Sequence, residues 1–479
     1  MVTPAATPQE RVDAVWEAID ASFDGYLDEL EELCRFRSRR EEPDGMLATK
    51  EWIERRLRAL GASVEVVESA RAYPYLLARV GTGERSLLNF NHYDVEVEPP
   101  GPDEAWTTPP YEPARRDGRM FARGIADDKA ALLSRIHVVD AFAKAGVELP
   151  VEVRFLVEGK RTLGAPALAE VVDGYPDFVR ADGALWENSW SDFDGRPLLK
   201  LGEKGILYLE IGSRALDRDL SSQNAILLPQ AAARVAAAAA ALTRFTDGRH
   251  VPGFLDAVTP WGEADAAALA AMPFDREYLV GRAGESLRDS LDAVESPAFA
   301  VRTTPTIVLS WIHAGPPEGS VALGVPAGCR AGIEVRLVPG QSTEGVLAAF
   351  RAFLAEQGLD DGLDIEVRRA GEPEATDSSG WFAGVVAEAA ELAHGAPPVL
   401  EATTVWIGTE RWWRRQACPS SGSGSRVPTR ASTGPTRTSS SRTTASGCGT
   451  SPRSSSGWRH DRRVGPDDGP DAARTHRRR

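Results

Sequence analysis

The sequence predicts an α/β protein carrying a smaller, inserted α+β domain, and three observations predict it. Amphipathic helical stretches alternate with short β-rich runs through the first 160 residues. After Pro197 the alternation changes to longer strands separated by helices. Near Ser378 a helix returns to the first pattern. Buried strands that alternate with helices make a sheet covered by helices, which is the α/β arrangement.

In chain order, residues 8–37 place Val12, Val15, Trp16, Ile19, Phe23, Leu27, Leu30 and Leu33 on one stripe at helical spacing. A second amphipathic helix is expected at about 46–60. Strands are expected at 63–67, 75–80 and 86–91, a helix after Asp127, and an alternating strand at 151–157. In the insertion, 206–211, 306–312 and 331–337 read as strands, and 229–245 and 343–357 as helices. The helix at 378–394 rejoins the first domain. The expected domains are therefore 1–196 with 371–404, an insertion at 197–370, and a tail at 405–479.

The chain has 479 residues, 42% hydrophobic and 26% charged, which suits a soluble protein with two buried cores. No apolar run reaches the roughly 20 residues of a membrane span. The N-terminus lacks the basic-then-apolar order of a secretory signal. A cytoplasmic protein with no membrane partner is expected. Cys34, Cys329, Cys418 and Cys448 form no metal-type pair and read as reduced thiols.

The net charge of −15 is unevenly spread. Residues 411–479 carry fifteen Arg, no Lys and four Asp, a net of +11, so the rest carries −26. That acidic body argues against nucleic acid as its partner, although a basic tail could argue for it. The tail alone would read as a disordered basic segment.

Two strings carry chemistry. Asn91-His92-Tyr93-Asp94-Val95 follows the apolar run Leu87-Leu88-Asn89-Phe90. A histidine ending a strand can offer one ring nitrogen to a metal, and a carboxylate two residues on shares its face and can orient the ring. A surface histidine beside an aspartate gives the same string. Arg123-Gly124-Ile125-Ala126-Asp127-Asp128-Lys129-Ala130 puts a glycine turn before Asp127, where a helix begins. Capping that helix is the alternative use of Asp127. Trp106-Thr107-Thr108-Pro109-Pro110-Tyr111-Glu112-Pro113 lies between the two strings.

Together these strings, from Leu87 to Glu170, resemble the zinc metallopeptidase family of aminoacylases, carnosinase-like dipeptidases, glutamate carboxypeptidases and succinyl-diaminopimelate desuccinylases. The resemblance is strongest to the dipeptidase-like branch and covers roughly residues 10–400. It implies an α/β zinc-peptidase catalytic domain with an inserted α+β lid that forms a homodimer. It also implies one or two zinc ions and hydrolysis of a small peptide or an N-acyl amino acid. By position, His92 would be a metal ligand, Asp127 the ligand shared by two ions, and Asp94 the helper carboxylate. Asp182-Gly183-Ala184-Leu185-Trp186-Glu187 resembles a strand ending in a further metal ligand, Glu187. Ile333-Glu334-Val335-Arg336-Leu337-Val338-Pro339 resembles the stretch whose arginine, here Arg336, clamps a substrate carboxylate.

The chain departs from that family in three places. The Glu-Gly-x-Glu-Glu frame reads Glu158-Gly159-Lys160-Arg161-Thr162, with Arg161 at the general-base position and Thr162 at a ligand position. Arginine stays protonated and cannot take a proton from water. A neutral hydroxyl is a poor zinc ligand. The Asp-Leu-His-Ser string reads Asp219-Leu220-Ser221-Ser222, which removes the histidine that donates to the oxyanion of the partner subunit's substrate. Finally, the closing metal histidine is missing, and residues 411–479 contain no Leu, Ile, Phe, Glu or Lys.

Read out of phase, residues 411–421 spell A-V-V-A-A-A-G-L-P-V-V, and 432–438 spell H-G-P-N-E-N when Arg437 is an AGA or AGG codon. The lost histidine then falls near Ser432 and Thr433, after a frameshift between about Thr404 and Arg411. Two functions remain open on these residues. One is a metal-dependent hydrolase of dipeptides or N-acyl amino acids. The other is a catalytically silent relative that at most binds a metal or an amino-acid ligand.

Overall fold

The computed structural model describes residues 7–95, 106, 108–160, 167–187, 191, 195–270, 272, 274–315, 324–376 and 378–401. Thr7 starts the first helix, Pro8–Arg35, through a reciprocal cap: its Oγ1 accepts from the Glu10 N–H at 3.2 Å, and the Glu10 carboxylate accepts from the Thr7 N–H at 2.7 Å. The expected stripe buries Val15, Leu30 and Leu33, whereas its N-terminal members Val12 and Trp16 stay exposed. Helix Pro43–Ala59 buries Met46, Trp52, Ile53 and Leu57.

Five strands form the first sheet, in the order Ser63–Val67, Tyr75–Val80, Glu152–Glu158, Ser86–His92 and Gly183–Leu185. The last three run parallel. Alternate residues feed opposite faces, as a pleated strand requires. Leu76, Ala78, Phe155 and Val157 pack beneath the helices Pro8–Arg35, Pro43–Ala59 and Ala130–Ala145. Tyr75, Leu77, Leu156 and Phe90 meet Leu168, Val171 and Phe178 on the other side. Burial on both faces explains the nearly continuous apolar runs in the sequence. The three parallel strands end on one edge, where open α/β sheets present their ligand sites.

The second sheet is antiparallel, in the order Thr306–Ala314, Gly328–Leu337, Gly205–Arg214 and Asp364–Gly371. Leu207, Leu209, Ile211, Ile333 and Val335 pack against helices Ala231–Leu242 and Thr343–Glu356. By register, Tyr208, Glu210, Arg330, Glu334 and Arg336 share the opposite face. The chain enters and leaves this sheet through a short ladder that pairs Glu203 with Glu374 and Gly202 with Ala375.

Residues 263–303 hold four short helices, and Asp364–Gly371 is a strand; neither is foreseen from the sequence. The strand is an outer one and mostly exposed, so nothing forces an apolar alternation on it. Among the described residues, no helix is long and apolar enough to cross a membrane.

Candidate active site

His92 ends the strand Ser86–His92 and pairs in register with Glu158, at the end of the neighbouring parallel strand. Both side chains are buried. The His92 Nδ1 lies 3.0 Å from the Asp94 carbonyl oxygen and 3.2 Å from Asp94 Oδ1. Its Nε2 lies 3.0 Å from Asp127 Oδ1 and 3.9 Å from Glu187 Oε2. Four of the residues singled out in the sequence therefore meet at the His92 ring, Asp94 at its Nδ1 side and Asp127 and Glu187 at its Nε2 side. Burial opposes a charge on the His92 ring, but the hydrogen bonds with Asp127 and Asp94 outweigh it and hold its pKa well above the ordinary value.

Asp127 reaches this point because the chain turns sharply before it. Gly124 has φ +72, and a Cβ there would sit 2.1 Å from Val95 Cγ1, so only glycine fits. One wide turn, Ile125–Lys129, follows, closed from the Lys129 N–H to the Gly124 carbonyl at 3.1 Å. Asp127 itself is non-helical, at φ −133 and ψ 88, and the next helix starts at Ala130 with no side-chain cap. The carboxylate faces His92 instead of capping.

Asp128 plays a different part. Its Oδ2 accepts from Asn91 Nδ2 at 2.7 Å and from the His92 N–H at 3.1 Å, which pins the strand end. Burial pushes its carboxyl up to about 6, against the pull of His92 and Arg135. Lys129 turns away and donates to the carbonyls of Leu33 at 3.0 Å and Phe36 at 2.9 Å, closing the end of the first helix. Burial pushes its ammonium down to about 8.

Arg135, absent from the sequence argument, binds the site from behind. Its Nη1 donates to the Phe90 carbonyl at 3.0 Å and to Asn91 Oδ1 at 2.8 Å, and its Nη2 donates to the Trp186 carbonyl at 2.5 Å. Trp186 stacks on Phe90 with ring centroids 4.1 Å apart, which fixes the residue before Glu187 against the strand that carries His92. The only sequence signal was a charge inside the apolar helix A-A-L-L-S-R-I-H-V-V. Tyr75 was missed as well; it donates to Glu158 Oε1 at 2.7 Å.

The remaining site residues fall elsewhere. Arg161 and Thr162 lie outside the described residues, as does the whole segment after Glu401 that contains Ser432 and Thr433. Ser221 caps the short turn Ser222–Leu227, accepting from the Gln223 N–H at 3.4 Å. Arg336 stands on the second sheet, and its Nε donates to Glu334 Oε1 at 2.8 Å. Nearby Lys204, buried and donating to the Thr304 carbonyl at 2.5 Å, is pushed down to about 8 by burial and by the charges of Arg336 and Arg302.

Tetrahedral zinc ligands at about 2.0–2.2 Å from the ion stand about 3.3–3.6 Å from one another. The two separations from His92 Nε2, 3.0 and 3.9 Å, bracket that edge. Among the described residues, no group of three or more His, Cys, Asp or Glu side chains is placed to hold a metal ion. His92, Asp127 and Glu187 are instead joined by a hydrogen bond and a looser contact. One imidazole and two carboxylates, with a carboxylate behind the imidazole, are nevertheless the donor chemistry that zinc takes.

Residues 90–421 match the model of Peptidase family M20/M25/M40. The chain is 25% identical over 368 residues to the Beta-Ala-His dipeptidase of Homo sapiens, an alignment covering 72% of each protein. It is 23% identical over 279 residues to the Cys-Gly metallodipeptidase of Schizosaccharomyces pombe, covering 57% of this chain and 58% of that protein. Its fold matches the crystal structure of an M20 family metallo-carboxypeptidase from Sulfolobus solfataricus with a TM-score of 0.71, at 23% identity, over 85% of this chain and 90% of that one.

Proposed function

The chain belongs to peptidase family M20/M25/M40, and from that premise we propose that it binds zinc and a dipeptide or N-acyl amino acid but lacks the base that hydrolysis needs. The observation that carries the first half is the convergence of Asp127 and Glu187 on the Nε2 of His92. These three residues would hold one ion. Zinc, when bound, supplies Lewis-acid polarisation of a carbonyl oxygen. Asp94, on the far side of the ring, keeps Nε2 aimed at the two carboxylates. Arg336 would receive the substrate's carboxylate through a forked pair of hydrogen bonds.

The second half rests on Arg161 and Thr162. A guanidinium at the base position holds its proton at every physiological pH and takes none from water. Thr162 supplies no anionic donor for a second ion. Zinc titration of the purified chain tests the first half: one equivalent should bind, and His92→Ala should abolish that binding. Full zinc retention by His92→Ala would sink the assignment.

A second reading concerns the gene rather than the fold. The out-of-phase segments at 411–421 and 432–438 occur in the family's order, which favours a frameshift between about 404 and 411. Resequencing that stretch tests it, and a clean read in the written frame rejects a sequencing error. The homodimer is part of the same proposal. Strand Thr306–Ala314 is the outer strand of its sheet and exposes Val308, Leu309 and Ile312, while Ile226 and Leu227 are 95% and 80% exposed on the turn Ser222–Leu227. Light scattering that shows a monomer at micromolar concentration would overturn the dimer.

A further inference from the structure

Helices Pro8–Arg35 and Ala130–Ala145 pack side by side, and a groove with a cavity of about 220 Å³ opens between them. Ile19, Phe23 and Leu27 line it from one helix, and Leu133 and Val138 from the other. Its polar lining residues are already engaged. Ser134 Oγ donates to the Ala131 carbonyl at 2.9 Å, Tyr26 Oη donates to Asp140 Oδ2 at 2.7 Å, and His137 Nε2 lies 3.0 Å from Glu29 Oε2. The groove therefore offers an apolar floor with no polar group left to satisfy.

The apolar stripe of the first helix runs on past the cavity. Val12 and Trp16 continue it toward the N-terminus at 43% and 46% exposure, and Val138 on the facing helix is 43% exposed. From Val12 to Leu30 the stripe repeats at steps of three and four residues, a face about 27 Å long.

A row of carboxylates borders the stripe. Each residue turns a helix by about 100°. Asp13, Asp20 and Asp24 each follow a stripe residue by one position, after Val12, Ile19 and Phe23, so they share one border, and all three are exposed. The other border, Val15, Tyr26 and Leu33, is buried, which leaves the acidic row along the open side. Asp13 accepts from Gln9 Nε2 at 2.8 Å, whereas among the described residues the carboxylates of Asp20 and Asp24 have no partner.

A long apolar channel between two helices fits a third helix laid along it, through anchors at i, i+3, i+4 and i+7. The acidic border asks that helix for cations. A second copy of this chain would bring the same row of aspartates against it, and an anionic membrane would be repelled in the same way. The chain's own residues 411–479 have the positive charge but no Leu, Ile or Phe to fill the floor. We propose that this groove docks a basic amphipathic helix of another protein, its apolar face between the two helices and its Lys or Arg row along Asp13, Asp20 and Asp24. The surface needs no zinc and no hydrolysis, so it stands or falls separately from the function proposed above.

Fluorescence anisotropy with a labelled helical peptide of Leu and Lys, about 18 residues long to match the stripe, tests the docking on the full chain. With its leucines at i, i+3, i+4 and i+7, this peptide should bind saturably, and about tenfold or more tighter than an isomer in which Leu and Lys alternate. Val138→Asp, and Asp20→Lys together with Asp24→Lys, should each weaken binding by about tenfold or more. Glu388→Lys with Glu391→Lys makes the same change in net charge on the exposed side of helix Trp381–His394, and should leave the affinity within about twofold. All these variants alter exposed residues and should melt with the parent. Equal binding of the two peptides, or an equal loss in the two charge-reversed pairs, would reduce the effect to general attraction by an acidic body and overturn the proposal. So would the absence of saturable binding.

Discussion

Arg135 donates from Nη2 to the Trp186 carbonyl at 2.5 Å and from Nη1 to the Phe90 carbonyl at 3.0 Å, and so ties the strand end that leads to Glu187 to the one that ends in His92. Arg135 is half-buried, and burial pulls its pKa below the ordinary value against the charges of Asp128 and Glu187. Removing it leaves buried acceptors and carboxylates without their cation. Arg135→Met should cost about 3–5 kcal/mol in denaturant unfolding. Zinc affinity should fall about 10–100-fold, because the partners that aim the ligands are lost. A variant within 1 kcal/mol of the parent, with unchanged zinc affinity, would show that Arg135 merely fills space.

Asp94→Asn keeps the shape of the side chain behind His92 and removes its charge. The carboxylate at 3.2 Å from Nδ1 raises the basicity of the ring and fixes its rotation. Zinc affinity should drop about 10–100-fold with little loss of fold stability. Competition against a calibrated chelator measures this directly. Equal affinities would remove Asp94 from the site.

Lys204 predicts a pH effect of definite sign. Its folded pKa is pushed down to about 8, first by burial and then by Arg336 and Arg302. Between about pH 8 and the ordinary lysine value near 10.4, the unfolded chain holds a proton that the folded chain has released. Stability should therefore rise with pH across that window, by an amount on the order of 3 kcal/mol for this group. Lys129, also pushed down to about 8, adds a similar rise. Urea unfolding from pH 7 to 10 should show a shallower slope in Lys204→Met than in the parent. Superimposable slopes would mean that Lys204 is not the buried cation responsible.

Much of the fold was legible because the sequence repeats its physics locally. Phe155, Leu156 and Val157 feed both faces of one sheet, so their strand reads as a continuous apolar run. His92 and Asp94 lie two residues apart on a strand end, and Gly124 marks the turn before Asp127, so those roles could be proposed without coordinates. Arg135 and Lys129 could not be assigned. The carbonyls that they bind belong to residues 45 to 96 positions away, and nothing in helical spacing points there. Asp128 was hidden by its neighbour, because two adjacent aspartates give no hint which one faces His92 and which holds the backbone. Trp311 was placed in its strand, but the bulge that sets it opposite Gly332 depends on how two strands pair.

The most direct test of the account is dipeptide turnover by the zinc-loaded chain as written. With zinc bound at one equivalent, the account predicts no hydrolysis above the buffer rate, and measurable turnover only after Arg161→Glu together with Thr162→Glu. Hydrolysis by the unaltered chain that a chelator stops and zinc restores would contradict it.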